Sequence, residues 1–234
     1  VEPFRKSTPS GKRLIVLLLI FHMLMSCNYQ VIPLIFFRPK FYCQSMEGVA
    51  VCDELDACRE TSVKFSSDYE FSSISMEYKL YCETKKDEAT ILTFMMIGHL
   101  VGAATSSFLS DLGHHKHSIL SVLIVNGLIS GISCLTAGLA HSPFFIGLAL
   151  TVWSLSSEMI QNFINMAPTS FFEKQLPNEV FNLIEISWAV YSIFTPATLD
   201  LHQSWRAIFV VNLALPWFLF TAYFWYYRKE LATE

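Results

Sequence analysis

Five polar residues, Ser154, Glu158, Gln161, Asn162 and Asn165, recur at i, i+4, i+7, i+8 and i+11 in a stretch otherwise made of Phe, Ile, Leu, Val, Trp and Met. That spacing puts them on one face of a helix. A carboxylate and three amides in apolar surroundings suit the wall of a wet cavity that contacts a polar or charged solute. The alternative is polar glue between packed helices. Glu185, with Trp188 and Ser192 on nearly the same face, pairs an acid with an aromatic ring. That pair can hold an organic cation through charge and cation–π contact, or the acid can sit neutral and hydrogen-bonded. His22, Ser26, Tyr29 and Pro33 share a further face. His22 and His99 read as helix-contact histidines, with a proton relay as the competing reading.

Enzymatic and metal chemistry find no pattern. There is no G-x-S-x-G, H-E-x-x-H or G-x-x-x-x-G-K. The chain is expected not to be an enzyme, to carry no cofactor and to hold no metal. The run Gly113-His114-His115-Lys116-His117 is a short His tract of the metal-binding kind, or a basic turn between two helices. Cys43, Cys52, Cys58 and Cys82 cluster in one polar stretch, while Cys27 and Cys134 lie in apolar runs. Four clustered cysteines predict two disulfides in an oxidising compartment, with three pairings open. Four free thiols are the alternative, and their spacing matches no common zinc pattern.

The elements that must position these residues are apolar runs long enough to cross a bilayer, which takes about 20 residues. The chain has 234 residues, 53% of them hydrophobic and 15% charged, against roughly 25% charged in an average soluble domain. Its mean hydropathy is +0.41. Spans are predicted at 14–37, 90–110, 118–140, 144–168, 180–199 and 205–227, giving an all-α, six-helix transmembrane bundle. A barrel would alternate over about 10 residues per strand, and these runs do not. The N-terminal segment 1–13, the bundle 14–227 and the tail 228–234 form the domain plan, with the cysteine-bearing loop 38–89 as a disulfide-stapled cap. Arg5, Lys6, Lys12 and Arg13, then Lys116, then Arg228 and Lys229 place those three segments on the cytoplasmic side, with the 38–89 loop opposite. Gly98, Gly102, Ser106 and Ser110 in one span, and Gly127, Gly131, Cys134 and Gly138 in the next, repeat small residues where helices can approach closely. With a net charge of −4 and no basic face, nucleic acid is not an expected partner.

The run Met76-Glu77-Tyr78-Lys79-Leu80-Tyr81-Cys82-Glu83 precedes a glycine-bearing span that closes Phe108-Leu109-Ser110-Asp111-Leu112-Gly113. Ser204-Trp205-Arg206 opens the last span, which closes Tyr223-Phe224-Trp225-Tyr226-Tyr227. Together these resemble the N-terminal half of a major facilitator transporter, in particular the organic cation, anion and carnitine transporter family. Glu173 resembles that family's acid after the fourth span. The resemblance covers nearly the whole chain. It implies half of a secondary transporter of small organic ions working by alternating access, with a second six-helix half as partner and solute bound near the midplane. It also implies a gate loop at Asp111 and Gly113. That loop normally carries arginines, and here Asp111 is followed by Leu112-Gly113-His114-His115. The loss of its charges leaves open a second role, a non-transporting half-transporter serving as a structural subunit of a larger membrane complex. The plasma membrane is the expected location. The 38–89 loop has no Asn-x-Ser/Thr acceptor, so an organelle membrane, such as the mitochondrial inner membrane, is the alternative.

Overall fold

The computed structural model describes residues 8–38, 40–45, 48–59, 64–65, 71–112, 116–172, 177–199 and 204–232. Gly113, His114, His115 and Glu173 lie outside them. Helix α1, Pro9–Ile35, leads into strands β1, Phe41–Ser45, and β2, Gly48–Cys52, then the short helix α2, Glu54–Arg59, strand β3, Lys64–Phe65, and helix α3, Ile74–Glu77. The long helices α4, Lys85–Leu112, α5, Lys116–Leu139, α6, Pro143–Phe171, and α7, Pro177–Leu199, follow. The last helix, α8, is α-helical over Trp205–Ala207, π-helical over Ile208–Ala214 and α-helical again over Leu215–Ala232. Among the described residues, five helices are long and apolar enough to cross a membrane, namely α1, α4, α5, α6 and α8.

Local chemistry explains the helix ends. Ser142 is extended and its hydroxyl accepts from the amide of Phe145, while Pro143 occupies the first helical position. Proline there gives up only an amide that has no intrahelical partner. The π stretch in α8 has a local cause too. Pro216 cannot donate a backbone bond and its ring crowds the preceding turn. One residue earlier, Leu215 donates to Val210 five residues back, which widens the turn ahead of the proline.

The helices pair as α4 with α6, α5 with α6, α1 with α7, and α8 with α5 and α1. Their buried faces make one continuous core that includes Phe21, Trp153, Phe163, Trp205, Phe209 and Trp217. At one end of the bundle, Arg13 at the start of α1 bridges Glu230 at the close of α8 at 2.6 Å, and Lys116 at the start of α5 lies over the Phe171 ring at the end of α6. At the other end, Arg206 of α8 donates to the carbonyls of Gly138 and Ala140 where α5 finishes. Helix α7 runs alongside α1 in the same direction, with Ser26 against Trp188 and Ser192, and Gln30 against Ser192.

The polar loop after α1 is more ordered than a cap held by bridges alone. Strands β2, β1 and β3 form a three-stranded antiparallel sheet, with Phe41 opposite Cys52 and Phe65. Cys43 is bonded to Cys52, and Cys58 to Cys82. The first bridge joins the two strands of one hairpin, and the second ties α2 to the turn before α4. Arg38 ties the start of this cap to its neighbours, pairing with Glu54 at 2.5 Å and Glu88 at 3.0 Å. A small second cluster of Phe41, Cys43 and Ala57, with Cys52 and Tyr81 against it, fills the space under the sheet. The strands were hidden from a reading by apolar runs, because each is five residues or shorter.

Candidate functional site

Helices α4 and α6 approach at two glycines. A Cβ on Gly98 would lie 2.3 Å from the carbonyl oxygen of Thr151, and one on Gly102 would lie 2.6 Å from that of Leu155 and 2.9 Å from the Cβ of Glu158. No side chain fits between the backbones there. This contact brings His99, beside Gly98 on α4, within reach of Glu158 on α6. Nδ1 of His99 is 2.8 Å from Oε1 of Glu158. Tyr29 of α1 completes the group. Its hydroxyl donates to the same Oε1 at 3.0 Å and lies 3.3 Å from His99 Nδ1. The Tyr29 and His99 rings stack with centroids 5.5 Å apart. Because a carboxylate oxygen only accepts, Nδ1 of His99 carries the proton of that bond.

Aromatic rings flank the group. Trp188 of α7 is 5.4 Å from the Tyr29 ring, and Trp153 of α6 is 6.3 Å from it. Glu158 and His99 keep 25% and 16% of their side-chain surface exposed, so the group is reached from outside the core.

His22 sits one layer away and is fully buried. Its Nδ1 lies 2.8 Å from the carbonyl oxygen of Ile184, and its Nε2 lies 3.1 Å from Nε2 of Gln161. A carbonyl only accepts and an amide nitrogen only donates. His22 is therefore the neutral Nδ1–H tautomer, donating to Ile184 and accepting from Gln161. It serves as a connector between α1, α6 and α7.

The α6 stripe divides by partner. Asn162 donates to Ser106 of α4 at 2.5 Å, which makes it a tie between helices. The buried atoms Ser154 Oγ, Gln161 Oε1 and Asn165 Oδ1 have no hydrogen-bond partner among the described residues. Ser157 Oγ is in the same condition, although it lies off the stripe read from the sequence. Buried polar atoms without partners are uncommon, and three of these four belong to the stripe that carries Glu158.

Glu185 does not join the cluster. It is exposed on α7, while Trp188 turns toward Tyr29 and His22, and Ser192 toward Ser26. Asp111 falls in the last turn of α4, two residues before Gly113, which lies outside the described residues. Gly127 and Gly131 of α5 face α8, where an added Cβ would come within 2.4 Å of Thr221 Oγ1 and 3.0 Å of the Phe218 ring. His99, read from the sequence as a helix-contact histidine or a proton relay, was not grouped there with Glu158; its place beside Gly98 in a small-residue helix face was the signal for the meeting. Trp153 carries no spacing signal of its own.

Among the described residues, no group of three His, Cys, Asp or Glu side chains stands close enough to hold a metal ion. The helices, the cap and the Tyr29–His99–Glu158 group define a multi-pass helical membrane protein with a disulfide-bonded cap and an ionisable cluster inside its bundle. Comparison with known proteins finds no matching family model and no matching curated protein.

Proposed function

We propose that this chain is the N-terminal half of a secondary transporter of small organic ions, working by alternating access against a second six-helix half. The observation that carries the reading is Glu158, held by His99 and Tyr29 from two other helices on a face that also has unpartnered Ser154, Gln161 and Asn165 atoms. Ionisable side chains within spans are costly and are kept where a solute or ion passes. One carboxylate bonded to Tyr29, whose ring is flanked by Trp153 and Trp188, suits a solute with positive charge. In this reading α7 supplies a sixth span beside the five long apolar helices. The chain leaves α6 at the Lys116 end of the bundle and enters α8 at the Arg206 end, and α7 is the 23-residue helix that connects them. Six crossings put both termini on one side, the more basic one, as the plasma membrane requires of cytoplasmic segments.

The test is uptake of tetramethylammonium into vesicles containing the protein with its second half. Glu158→Gln is expected to lower uptake roughly tenfold, which corresponds to about 1.4 kcal/mol. Uptake equal to that of the unaltered protein would remove Glu158 from the solute path.

One sequence feature favours a second reading. The loop after α4 reads Asp111-Leu112-Gly113-His114-His115, without the arginines that lock such gates in the family it resembles. A half-transporter without that lock fits a structural subunit of a larger membrane complex. Native mass measurement after mild detergent extraction separates the two, since a stable assembly with unrelated subunits supports the structural role.

A further inference from the structure

We propose that Nε2 of His99 is a proton-binding position emptied when a cationic solute docks at Glu158, so that one proton leaves for each single positive charge that enters. The inference rests on the solute-cavity reading above and adds to it what the site exchanges.

The two ring nitrogens of His99 have different surroundings. Nδ1 is engaged, donating to Glu158 Oε1 at 2.8 Å with the Tyr29 hydroxyl 3.3 Å away. No hydrogen bond to Nε2 is present among the described residues, and the side chain is 16% exposed. A proton can therefore come and go at Nε2 without breaking the bond to Glu158. Among the described residues, no other acid or base is hydrogen-bonded to the pair apart from Tyr29. From α1, His22 is fully engaged by Ile184 and Gln161. From α7, Glu185 is exposed and apart from the cluster. The described basic and acidic residues of α5 and α8, namely Lys116, His117, Arg206, Arg228, Lys229 and Glu230, stand at helix ends.

Charge then sets the stoichiometry. With Nε2 protonated, imidazolium and carboxylate sum to zero. Once Nε2 has released its proton to cavity water, Nδ1 keeps its own and the pair carries one net negative charge. An uncompensated charge in hydrocarbon is costly, so the deprotonated pair is the form that takes a cation. The site is neutral before and after: one proton departs from Nε2, one monovalent cation arrives at Glu158, and no bond to Nδ1 changes.

The test is nitrogen-15 NMR of histidine-labelled protein in lipid nanodiscs. The chain has seven histidines, and the His99 signals are those lost in His99→Gln. Nδ1 is expected to stay protonated throughout, while Nε2 gains and loses its proton as pH is varied. Saturating tetramethylammonium, which cannot itself titrate, is expected to lower the midpoint of that titration by about one pH unit, a tenfold effect. Glu158→Gln should abolish the shift. Glu158→Asp, which keeps the charge, should retain it and guards against a misfolded variant. A neutral His99 carrying its proton on Nε2, or a midpoint unmoved by the cation in the unaltered protein, overturns the proposal. Uptake measured on the same preparation separates this from the transport reading. A shifted titration without uptake removes transport alone, and uptake with an unmoved titration removes the proton exchange alone.

Discussion

Arg206 shows how much one side chain settles at the cap end of the bundle. Its guanidinium contacts both carboxylate oxygens of Glu77, the Tyr78 hydroxyl, and the carbonyls of Gly138 and Ala140. Burial alone would raise the Glu77 carboxyl. The hydrogen bonds from Arg206 and the Trp205 indole, with the Arg206 charge, outweigh it and hold Glu77 below its ordinary value of 4.5. A depressed carboxylate contributes stability that is present above its ordinary value and is lost as pH falls through the lowered one. The docking of the cap on α8 should therefore loosen below about pH 4.5, seen as faster amide exchange at Tyr78 and altered Trp205 fluorescence. Glu77→Gln should flatten that acid limb. The effect is modest, since Glu77 is 33% exposed and solvent screens the pair. A change of equal size in the variant would place the acid sensitivity elsewhere. At this scale the sequence disclosed residue types and spacing, which put Glu158 on a polar face of α6. It did not disclose that Tyr29 and His99 would converge on the same oxygen, because those residues lie 129 and 59 positions away.

Among the elements, the α4–α6 contact is the one on which the candidate site depends. Gly102→Val would drive a side chain into the Leu155 carbonyl and the Glu158 Cβ. Overpacking of this kind costs about 1–3 kcal/mol, so the variant should lower the unfolding midpoint in detergent. It should also separate His99 from Glu158. An unchanged midpoint would mean that the two helices part there at no cost. The four-residue spacing of Gly98, Gly102 and Ser106 was legible in the sequence, as was the length of each apolar helix. The cap also bears a test. Its bridges close segments of 9 and 24 residues. In the chain-entropy account a longer closed loop stabilises more. Replacing Cys58 and Cys82 by serine should cost about 1 kcal/mol more than replacing Cys43 and Cys52, measured by thermal unfolding of the cap. The reverse order would show that native contacts, not loop closure, dominate. The sequence left three pairings open, because closure cost alone does not choose among cysteines so near one another in the chain.

Across the whole molecule, apolar length and the placement of charge were enough to establish a helical membrane protein with one polar loop between its first and second long helices. Those properties belong to the chain itself, since hydrocarbon admits only segments that satisfy their own backbone bonds. Two disulfides were likewise expected from four cysteines gathered in one polar stretch. The tertiary structure alone decided which cysteines pair, that the loop folds into a small sheet, that α7 lies along α1, and that Tyr29, His99 and Glu158 meet. Each of these depends on which helix faces which, and that follows from close packing between segments far apart in the chain. A periodic pattern marks the face that turns inward; the neighbour it meets is chosen by glycine contacts such as Gly98 and Gly102 and by the complementary shapes around them.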